Sequence, residues 1–146
     1  MTDKTTSGGV DRPSIYDAFA TDEELVTKGR EFEVPVVGDH VAVFTCLPTD
    51  IDLNPEVREP IVEFGLKLRM EHGRGPTQEQ LRPIILATVC VAWSGVFDDD
   101  GEAIPCTHDR RYELFAKLPK LAARLNRHTD DWHMYKRDAV AAIAGN

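Results

Sequence analysis

The residues whose types could carry chemistry are three cysteines, five histidines and a run of acids closed by glycine. Cys46, Cys90 and Cys106 are odd in number and show no C-x-x-C spacing, so a disulfide framework is not expected and the thiols fit a reducing compartment. Cys90 lies in the most apolar run of the chain and reads as inert core. Cys46 ends a predicted strand, and no signal in the sequence pairs it with a histidine as a nucleophile would require. His128 and His133 are five apart, which on a helix places them about 140° from each other rather than on one face. His40 and His72 are isolated, and Cys106-x-His108 is half of a metal site with no second half. Asp98-Asp99-Asp100-Gly101 resembles a calcium loop only superficially. With Gly101 as sixth residue, the first ligand would be Val96 and the twelfth Thr107, and neither suits. The run reads as a polar turn. There is no G-x-S-x-G elbow, phosphate-binding loop or dinucleotide fingerprint, and Glu23 and Glu24 fall in the first turn of a helix, where they serve capping. The inventory predicts no catalytic residue, no metal and no cofactor, and hence a protein that is not an enzyme.

The elements that would position these residues belong to a chain of 146 residues, about one domain in size, with 42% apolar and 29% charged residues, enough for a packed core. The longest apolar stretch, Pro83–Trp93, is too short to cross a membrane. The polar N-terminus lacks the apolar segment of a secretion signal, which leads to the expectation of a cytoplasmic protein. A net charge of −8 argues against general nucleic-acid binding. The charge is uneven: residues 107–146 sum to +3 and residues 1–106 to −11, an asymmetry that would suit head-to-tail self-association.

Residues 1–14 are small and polar and read as a flexible N-terminal arm; residues 15–146 read as a single α+β domain. Thr21-Asp22-Glu23-Glu24 has the pattern of a capping box with Thr21 as cap, and Gly29 stops the short helix it starts. Phe32, Val34 and Val36 alternate with polar residues, Gly38-Asp39 makes a two-residue turn, and Val41, Val43 and Thr45 continue the alternation, predicting a hairpin at about 31–46. Pro35 cannot donate to a ladder, so the first strand belongs at an edge. Apolar spacing and caps predict helices at about 55–72, 78–94, 108–118, 119–127 and 130–144. Thr77 and Gln80 form a second capping box, Thr107 caps the 108–118 helix, and Pro119 opens the next. The fold class expected is α+β, mainly a helical bundle with an N-terminal β-hairpin. Trp93, Val96, Phe97, Phe115, Leu118, Trp132 and Tyr135 are the natural anchors for a protein partner, because large apolar and above all aromatic groups dominate binding hot spots.

Several of these features occur in a recognisable order. Tyr16-Asp17-Ala18-Phe19, Thr21-Asp22-Glu23-Glu24-Leu25 and Lys28-Gly29 lead into a hairpin. Later come Ala92-Trp93-Ser94-Gly95-Val96, Asp98-Asp99-Asp100-Gly101-Glu102, Ile104-Pro105-Cys106-Thr107, Glu113-Leu114-Phe115 and Leu118-Pro119. Over about residues 15–135 this order resembles the tail assembly chaperones of long-tailed bacteriophages. The resemblance implies a non-enzymatic factor of the host cell cytoplasm, probing no covalent chemistry. Such a factor binds the tape measure protein, helps recruit tail tube subunits, and is generally absent from the mature virion. Relatives of this kind often have a frameshift-extended form. A groove around Trp93, Phe97, Phe115 and Trp132 would then receive amphipathic segments of the partner. The competing expectation is a small structural virion protein, a head–tail or tail connector, retained in the particle.

Overall fold

The computed structural model describes residues 14–137. Almost all of the expected N-terminal arm, and residues 138–144 of the expected last helix, lie outside them. Ser14 accepts a hydrogen bond from the Tyr16 amide and opens α1 (Ile15–Ala18). The next helix, α2 (Glu23–Lys28), is capped by Asp22 rather than Thr21, the Asp22 carboxylate accepting from the Glu24 and Leu25 amides at 3.0 and 3.2 Å. Thr21 is instead drawn into an antiparallel bridge with Lys136. Gly29 turns the chain at φ 97° into β1 (Arg30–Val37), with β2 (His40–Cys46) following across the Gly38-Asp39 turn.

The expectation of a bundle carrying an N-terminal hairpin is overturned on two points. The hairpin, at residues 30–46, lies within the chain behind α1 and α2, and it is two-thirds of a three-stranded antiparallel sheet of order β1-β2-β3. The third strand, β3 (Cys90–Ser94), comes from the segment expected to be the end of a long helix. The helix α4 (Gln78–Val89) does begin on the Thr77–Gln80 capping box, but it stops at Val89. A short run that is apolar all round satisfies a buried helix and a buried strand equally well. Here the open edge of β2 decides: Phe44 pairs with Trp93 and Thr45 with Ala92. A third strand stabilises a hairpin that would be marginal alone. Pro35 lies on β1, which among the described residues pairs only with β2 and is an edge.

The remaining helices are α3 (Arg58–His72), entered through a 3-10 turn at Pro55–Val57, α5 (His108–Lys117) and α6 (Pro119–Thr129). Pro60 sits in the first turn of α3, where its missing N–H has no intrahelical partner to lose. Leu118, outside the helical region at φ −119° and ψ 75°, separates α5 from α6. The expected helix at 130–144 is contradicted over its first part, where Asp131 caps only a 3-10 turn, Trp132–Tyr135. Long-range bonds hold that segment off a helical course: Asp22 N–H donates to the Tyr135 carbonyl (2.7 Å), and Arg137 N–H to that of Ala20 (2.9 Å).

One face of the sheet, with Phe32, Ala42, Phe44, Cys46 and Cys90, closes the core against Leu86 and Val89 of α4, Phe115 of α5, Ala122 and Leu125 of α6, and Tyr135. Phe44 meets both Trp93 and Phe115 at ring-centroid distances of 6.0 and 6.2 Å. The helix α3 packs on the outside of α4 and reaches α5 through an edge-to-face pair between Phe64 and Tyr112.

Candidate functional site

Two of the residues expected to face a partner are core. Phe115 and Tyr135 are fully buried, Phe115 beneath the sheet and Tyr135 with its hydroxyl donating to the Cys46 carbonyl at 2.9 Å. Burial pushes the Tyr135 hydroxyl pKa well above the ordinary phenol range. Trp93 is half-buried, packs edge-to-face on Phe115, and donates its indole N–H to the Ile104 carbonyl at 2.8 Å. Val96 is half-buried too, its carbonyl accepting from the Ile104 amide. Trp132 pairs instead with Phe19 and His133. The groove expected around Trp93, Phe97, Phe115 and Trp132 therefore lacks its floor, because Phe115 has no surface left to offer. Phe97, against the His40 ring, and Leu118, at the α5–α6 break, remain exposed.

The polar candidates have local partners. The Asp98 carboxylate accepts from the Asp100 and Glu102 amides, both at 2.9 Å, and closes the acidic turn on itself. His40 bonds the Gly95 carbonyl, His128 stacks on Phe32, and His133 bonds Asp131. The His133 amide and ring hold the Asp131 carboxyl below its usual range. Among the described residues, no group of three or more His, Cys, Asp or Glu is placed to hold a metal ion, and no helix is long and apolar enough to cross a membrane.

An open concave apolar surface lies on α3. An open groove of ≈ 850 Å³ is lined by Pro60, Glu63, Phe64, Leu66, Lys67, Met70 and Glu71 of α3, with Ile84 of α4 and His108 of α5. Although α3 is fifteen residues long, it has no buried residue. Ile61, Phe64 and Leu68 are half-buried on the side facing the domain. Val62, Leu66 and Met70, spaced by four, are 49, 57 and 87% exposed. Residues four apart lie above one another on a helix, so the three form an apolar line alongside the groove, with Glu63, Lys67 and Glu71 interspersed. Sequence reading missed this line. The signal was present, since α3 carries apolar residues on more than one side, but only the peripheral position of the helix tells which side lacks a neighbour among the described residues.

Comparison with protein-family models, with curated proteins and with solved structures gives no match for this chain.

Proposed function

We propose that this protein is a non-enzymatic assembly chaperone that holds an amphipathic helical segment of a partner chain on α3. Of the partners available to such a factor, the resemblance in the order of motifs favours the tape measure protein and tail tube subunits of a long-tailed phage. The observation that carries the reading is the uncovered apolar line Val62–Leu66–Met70 beside an open apolar groove. A helix laid in a groove presents anchors every three or four residues, and α3 offers matching apolar positions at that spacing. The net charge of −8 keeps such a surface soluble while it is unoccupied. Covering Leu66 and Met70 would contribute about 1–2 kcal/mol each after allowing for their present partial burial. Because association itself is costly, this supports a reversible, moderate affinity suited to a factor that must let go.

Co-expression with a tape measure protein tests the proposal. Its soluble fraction should rise with the wild-type chain and fall back with Leu66→Asp/Met70→Asp. Both side chains are exposed, so the double variant should keep its melting temperature within about 2 °C. No gain in solubility with the wild-type chain sinks the reading. Mass spectrometry of purified particles separates a chaperone, which should be missing, from a structural component present in stoichiometric amount.

A further inference from the structure

On a chain of net charge −8, α6 carries Lys120, Arg124 and Arg127 exposed and no acidic residue. Spaced by four and by three, the cations share one face of the helix. None of the ion pairs among the described residues involves them. At the start of α6, Lys120 lines an open cavity of ≈ 420 Å³ with Arg82 and Glu79 of α4 and Ala116 of α5. Glu79 is the one acid among its described lining residues. The Arg82 Nε is enclosed without a hydrogen-bond partner, and Arg82 too takes no part in those ion pairs.

The complementary charge is on the turn Asp98-Asp99-Asp100-Gly101-Glu102. Asp98 folds back onto the Asp100 and Glu102 amides. The carboxylates of Asp99, Asp100 and Glu102 are left exposed and outside every ion pair among the described residues. Arg110 and Lys117 line the cleft beside Asp98, but both pair with Glu113, at 3.4 and 3.9 Å. The turn therefore lies along the Lys117 side of α5, whereas the basic cavity abuts Ala116, about 100° round that helix.

We propose that the protein self-associates head to tail, with the 98–102 turn of one copy docked on the basic face of Arg82, Lys120, Arg124 and Arg127 in the next. Each copy holds both halves of the contact and leaves both uncompensated, so a second copy is the partner whose charge fits. A heterologous contact of this kind leaves one half free at each end of a pair, and association runs past the dimer into a ring or filament. The contact is small and charged, at the weak end of protein interfaces, and salt weakens it. No residue of α3 takes part, so the inference stands or falls apart from the chaperone reading.

Sedimentation velocity over a concentration series tests it at about 0.01 M and about 1 M salt, where charges are screened beyond about 30 Å and about 3 Å. The wild-type sedimentation coefficient should climb past the dimer value at low salt and stay at the monomer value at high salt. Lys120→Gln/Arg124→Gln/Arg127→Gln and Asp99→Asn/Asp100→Asn/Glu102→Gln should each remain monomeric at low salt with unchanged circular-dichroism spectra. The two variants move the net charge in opposite directions, so loss in both excludes an effect of total charge. Mixed in equal amounts, they should form a dimer of one of each and nothing larger, because one keeps the turn and the other keeps the basic face. Should either variant fail to fold, carbodiimide coupling of the wild-type chain replaces it, with the expected link joining the 98–102 turn to Lys120 only in species larger than the monomer. A wild-type chain that stays monomeric at low salt or stops at a dimer, association retained by either variant, or a mixture that stays monomeric would each overturn the proposal.

Discussion

At the scale of single residues, the side chains that matter most are those that join distant parts of the chain. Arg111 is the clearest example, because it binds the Ala87 carbonyl in the last turn of α4 and the Cys106 carbonyl ahead of α5 with one guanidinium. The planar fork of arginine can satisfy both acceptors at once, whereas lysine offers a single point of charge. Arg111→Ala leaves the Ala87 and Cys106 carbonyls without this partner. It should cost about 2 kcal/mol in urea unfolding, and Arg111→Lys should recover only part of that. A loss below about 0.5 kcal/mol in the alanine variant would show that water replaces the guanidinium at little cost. None of this was legible in the sequence, nor was the meeting of Cys46 and Cys90. Their proximity depends on pairing Cys46 with Cys90 across a ladder, and no local spacing encodes a register between segments so far apart. Local chemistry was legible: Thr77, Thr107 and Pro119 open helices as their types require.

At the scale of elements, β3 explains both what sequence reading captured and what it missed. The hairpin was visible because alternation and the Gly38-Asp39 turn are local signals. The third strand was not, because its choice between helix and strand rests on the free edge of β2. One residue after β3 provides a sensitive test of that packing. Gly95 lies at φ 73°, and a Cβ there would meet the Val41 carbonyl oxygen at 2.6 Å. Gly95→Ala thus combines left-handed backbone strain with a clash against main chain that cannot swing aside. We expect a loss of about 2–3 kcal/mol, with the Trp93 fluorescence shifted as its strand is displaced. Gly38→Ala makes a useful companion, since it shares the positive φ but meets nothing within 4 Å, and it should cost about 1 kcal/mol. Equal losses in the two variants would mean that β3 does not lie close to the hairpin. On α3, by contrast, sequence reading found the helix but assigned the partner surface to the aromatics. Aromatic type marks core and interface alike, and Phe115 and Tyr135 proved to be core.

At the scale of the whole molecule, the buried polar groups of the core set a direction for stability against pH. Burial raises the Tyr135 phenol, and the Cys90 hydrogen bond together with burial raises the Cys46 thiol; Cys106 is raised as well. For each of these the folded state holds a proton that the unfolded chain releases at its ordinary pKa, about 8.5 for a thiol and about 10 for a phenol. Above those values the native state binds more protons than the unfolded one, so unfolding free energy falls as pH rises. Below them the contribution is present in full. Cys90 runs the opposite way, its thiol being lowered, and offsets part of the thiol contribution between neutral and alkaline pH. Nothing opposes Tyr135 above about pH 10 among the shifted groups. Under reducing conditions, the urea midpoint should therefore be nearly level from pH 6 to 8, decline modestly towards pH 9, and drop steeply beyond about pH 10. Tyr135→Phe separates the contributions. At neutral pH it should cost about 1 kcal/mol, because the Cys46 carbonyl loses the hydroxyl that bonds it at 2.9 Å. Above pH 10 the variant's midpoint should fall less steeply than the wild type's, and the two curves should converge. Parallel curves across that range would mean that the phenol ionises as readily in the native protein as in the unfolded chain, and that the seal between the C-terminal 3-10 turn and the end of β2 is open to water.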